Sequence, residues 1–89
     1  MLCEQELVAT SQIDEIKAAF SKINAMKAVP AELQGLFEEF RRLEEDLSTG
    51  DWGRIGVLAG LLWYKLDTLI KILGDNNQEL KNIGNSLKR

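Results

Sequence analysis

The chain has 89 residues and a mass of 10.0 kDa, enough for one small domain whose own core is thin. A composition of 45% hydrophobic and 28% charged residues with a single proline excludes whole-chain disorder and collagen-like repeats. Histidine is absent and Cys3 is the one cysteine, so Ser-His-Asp triads, Cys-His dyads and His/Cys zinc sites cannot be assembled within one chain. The net charge of −3 argues against binding a nucleic-acid backbone, which needs a basic face.

That charge is unevenly spread. Residues 1–50 hold ten acidic and five basic side chains, a net of −5, whereas residues 51–89 hold four and six, a net of +2. The halves attract, which favours folding them together or pairing them between chains. Cys3 has no intramolecular partner, so a reducing compartment is expected. Glu4 and Glu6 stand where a signal peptide would carry basic residues, which points to the cytoplasm. The most apolar stretch, residues 55–64, is about half the length a membrane span requires.

Spacings of three and four run almost throughout, so an all-α fold is expected. Helix 1 is read over 11–28, opened by a capping-box-like Ser11 and Asp14 and carrying Ile13, Ile16, Phe20 and Ile23 on one face with Ala9, Ala19 and Met26 beside them. Leu7, Val8 and Ala9 can extend it towards the start. Pro30 breaks the pattern and suits the first turn of helix 2, read over 30–47 with Leu33, Leu36, Phe37, Phe40, Leu43 and Leu47 on its inner face. Its carboxylates, Glu38 and Glu39 among them, form a solvated face with Glu38 set to pair with Arg42. In the following turn, Gly50 suits the left-handed position and Asp51 the next N-cap.

Helix 3 is read over 52–73. Trp52, Ile55, Ala59, Leu62, Leu66, Leu69 and Leu73 form an a/d heptad series, as in a coiled coil. Counting on through Gly74–Asn77 places Asn76 on a core position and Leu80, Ile83 and Leu87 in phase, so a helix continuous to 88 is favoured. The chain is then a long helical hairpin with an arm of about 55 Å. If the helix stops at Gly74, the product is a small bundle of four helices.

The segment Gly53–Gly60 lacks the Gly-Lys-Ser/Thr ending of a phosphate loop. Its glycines instead remove bulk, as faces of small residues do where backbones approach. Val57, Leu61 and Tyr64 form a second apolar stripe beside the heptad seam, widened by Leu58, Trp63, Ile70 and Ile72. A helix apolar on all sides must be covered on all sides. The kinked N-terminal arm could wrap it within one monomer, but completion as a dimeric four-helix bundle is the favoured expectation. Trp52, Gly56, Val57, Gly60, Leu61, Trp63 and Tyr64 are the expected partner or dimer interface. The function expected is non-catalytic protein binding by a small adaptor, regulator or inhibitor. The alternative is an amphipathic helix at a membrane surface, which Asp51, Asp67 and the net negative charge disfavour. No cofactor, metal or nucleic acid is expected.

Overall fold

The computed structural model describes residues 4–87, and Cys3, Lys88 and Arg89 lie outside them. The chain is all-α, with α1 at Glu4–Asn24, α2 at Ala31–Asp46, α3 at Trp52–Gly74 and α4 at Gln78–Ser86, and no strand among the described residues. The result is a small four-helix bundle.

α1 begins ahead of the expected Ser11 cap. Ser11 and Asp14 sit on its exposed side, inside a helix already under way, where the Ser11 amide has a carbonyl one turn back and needs no side-chain cap. Ile13, Ile16, Ala19, Phe20, Ile23 and Met26 of the predicted inner face are buried as read, while the side chain of Ala9 lies outside those described. The helix closes at Asn24, with tightened bonds from the Ala25 and Met26 amides to the Lys22 and Ile23 carbonyls at 3.2 and 3.0 Å. Pro30 stands before α2 rather than in its first turn, because its ψ of 139° is extended, and its carbonyl accepts from the Leu33 amide at 3.1 Å.

α2 buries Leu33, Leu36, Phe40 and Leu43. Phe20 of α1 meets two of its rings, Phe37 edge-on at 4.7 Å and Phe40 tilted at 5.3 Å. Such ring pairs contribute about 0.5–1.5 kcal/mol beyond the area they bury. A single 3-10 turn, Leu47–Thr49, leads to Gly50 at φ 73°, the left-handed conformation that glycine adopts without a Cβ penalty. The Asp51 carboxylate then accepts from the Arg54 amide at 3.2 Å and starts α3. On the outside of α2, Glu38 pairs with Arg41 at 3.5 Å, not with Arg42.

α3 is the centre of the molecule and packs against each of the other three helices. It buries Ile55, Ala59, Leu62, Trp63, Leu66, Ile70 and Gly74, while Trp52, Leu69 and Leu73 of the heptad seam are half-buried against the core. α2 returns antiparallel to it, tied by Lys65 Nζ to Glu39 Oε1 at 2.9 Å.

The expected continuation of helix 3 to 88 does not occur. α3 stops at Gly74, closed by bonds from the Asn76 and Asn77 amides to the Leu73 and Gly74 carbonyls, both 3.2 Å. Asn77 adopts an extended backbone and its side chain accepts from the Leu80 amide at 3.1 Å, capping α4. Asn76, expected on a core position, is exposed. α4 folds back onto α3 at close range. A Cβ on Gly74 would stand 3.3 Å from Lys81 Cα, and one on Gly84 would stand 2.6 Å from Ile70 Cγ2. Leu80 is fully buried, and Lys22 of α1 donates to Ser86 Oγ at 2.9 Å across the top of α4.

Candidate protein-docking face

Among the described residues, the large apolar side chains exposed to water gather on the outer side of α3. Val57, Leu61, Tyr64 and Ile72 are 64%, 54%, 69% and 60% exposed, and half-buried Thr68 fills the gap between the last two. At about 100° per residue these five positions fall within roughly a quarter of the helix circumference, and they span about 22 Å of its length. α1 and α4 cover one flank of α3 and α2 the other, so the stripe is what three neighbours leave open.

On the α2 side the stripe borders two shallow clefts. One, of about 260 Å³, has a floor that includes Leu43, Leu58 and Leu62 and a rim that carries Glu39, Arg42, Asp46, Arg54 and Lys65. The other is lined by Leu36, Tyr64, Lys65, Thr68 and Leu69. On the opposite flank Lys71 pairs with Asp67 at 3.0 Å. These exposed ion pairs each contribute at most about 1 kcal/mol, and their main effect is to frame the stripe with fixed charge. Arg54 stands at one end of the stripe and Asp75 at the other.

The residues expected at the interface divide into three groups. Val57, Leu61 and Tyr64 lie together on the open stripe. Trp52, Gly56 and Gly60 are half-buried and lie off the stripe, Trp52 against the core with the rest of the heptad seam. Gly60 faces α1, with Gln12 side-chain atoms 4.0 Å from where its Cβ would be, an ordinary contact rather than a close backbone approach. Gly74 and Gly84, by contrast, do bring α4 close to α3. Trp63 points into the bundle and is 5% exposed, so it is a core residue beyond the reach of a partner on this face. Ile72 was not among the interface residues expected, although steps of four from Tyr64 through Thr68 reach it.

None of the described polar or charged side chains is buried, and no helix among the described residues is long and apolar enough to cross a membrane. Compared with protein-family models, curated proteins and solved structures, the chain matches none.

Proposed function

We propose that this chain is a non-catalytic protein–protein interaction module of the cytoplasm, a small adaptor, regulator or inhibitor that self-associates and docks through the outer face of α3. The observation that carries this reading is the stripe Val57, Leu61, Tyr64 and Ile72, four large apolar side chains more than half exposed in one row. Full burial of an aliphatic side chain is worth about 1.5–3 kcal/mol, so covering the remaining exposure of this row supplies several kcal/mol of association energy. Tyr64 adds a rigid aromatic anchor whose hydroxyl can stay at a wet rim. Among the described residues no charged side chain is buried, which supports binding over catalysis, since acid–base chemistry draws on carboxylates and lysines tuned by burial.

Site-specific photocrosslinking in cells tests the reading. A benzophenone side chain in place of Tyr64 should capture another polypeptide, and the same group in place of exposed Glu44 on α2 should not. Equal capture at both positions, or none at Tyr64, overturns it.

A further inference from the structure

We infer that the occupant of the α3 face is a second copy of this chain, packed antiparallel about a two-fold axis that passes between Tyr64 and Lys65. This rests on the α3 stripe being a docking face, and it assigns the self-association to that face and fixes its register. In an antiparallel helix pair, residues equally far on either side of the axis lie level across the interface. Here that sets Val57 beside Ile72 of the second copy, Leu61 beside its Thr68, and Tyr64 beside its Lys65, each pair occurring twice, as an isologous contact requires. The stripe is therefore complementary to itself when reversed.

The charges select the same arrangement. Arg54 and Asp75 lie at opposite ends of the stripe and equally far from the axis, so the antiparallel pair places Arg54 of each copy beside Asp75 of the other. A parallel pair sets Arg54 against Arg54 and Asp75 against Asp75. Sliding the antiparallel pair so that the axis falls between Leu62 and Trp63 sets Arg54 against Lys71.

The test uses the full chain with Cys3→Ser, so that introduced thiols are the only ones, and sedimentation equilibrium at low salt. The Cys3→Ser chain should dimerise in the micromolar range, and Leu61→Asp and Tyr64→Glu should each leave a folded monomer by circular dichroism. Arg54→Asp and Asp75→Arg should each weaken the dimer about tenfold, since either reversal turns two attractive pairs repulsive. The double variant and the equimolar mixture of the two single variants should both return to within about threefold of the Cys3→Ser chain. On oxidation, the Val57→Cys, Ile72→Cys pair should give covalent dimers, while Val57→Cys alone should not, its two copies lying about 22 Å apart.

A dimer lost in Leu61→Asp but indifferent to either charge reversal, or crosslinked through Val57→Cys alone, overturns the antiparallel register and leaves the docking face standing. A Cys3→Ser chain that stays monomeric, or a dimer unaffected by both Leu61→Asp and Tyr64→Glu, overturns the second copy as occupant. Capture at Tyr64 then assigns the face to a different protein, and co-sedimentation with phosphatidylserine vesicles assigns it to a lipid surface.

Discussion

Alanine at position 84 would place a methyl group 2.6 Å from Cγ2 of buried Ile70, an atom fixed to a branched Cβ that has little room to yield. Overpacking of this kind costs about 1–3 kcal/mol, against about 1 kcal/mol recovered in helix propensity. Gly84→Ala should therefore destabilise the chain by about 1 kcal/mol, and removing the obstruction in Gly84→Ala, Ile70→Ala should show favourable coupling in a double-mutant cycle. Gly35, in the middle of α2, has nothing within 4 Å of the place a Cβ would occupy. Gly35→Ala should raise stability by about 1 kcal/mol, which for a domain of this size is about 4–8 °C in Tm. The same chemical change thus reports two different surroundings, and thermal unfolding of the two variants separates them. At the start of α3, Asp51→Ala removes the acceptor of the Arg54 amide and should cost about 1 kcal/mol by the same measurement.

At the scale of elements, much of the molecule was legible in spacing alone. The inner faces of α1 and α2 and the α3 seam follow rows of three and four, and the Gly50–Asp51 junction follows from one residue that tolerates positive φ and another that accepts an amide bond. The break after Gly74 was not legible in this way. The heptad phase carried through it because Leu80, Ile83 and Leu87 need three-four spacing to face any core, whether α4 runs onward or folds back. The deciding signals were local: Gly74 fits under the Lys81 backbone, and Asn77 caps α4. Asn77→Ala should accordingly speed amide exchange in α4 while leaving the middle of α3 protected, with a cost of about 1 kcal/mol. An equal loss of protection along α3 would mean that the cap holds more than its own helix.

For the molecule as a whole, the surplus of apolar surface on residues 52–73 was legible, but its division between core and surface was not. Trp63 and Tyr64 are neighbours of similar character, and only the placement of α1 and α4 on one flank sends the first inward and leaves the second in water. If the open face binds a second copy, Tm should rise with protein concentration across the micromolar range, and Leu61→Asp should abolish that dependence. α3 also touches all three other helices, while these touch one another far less. Each outer helix therefore owes most of its burial to the same cylinder, and no subset that omits α3 keeps a core. Loosening α3 dissolves every interface together, so unfolding is expected to be a single cooperative event without a stable remnant. Whatever meets the outer stripe meets the reverse side of the residues on which the whole core is built, and its binding is then a direct readout of whether the chain is folded.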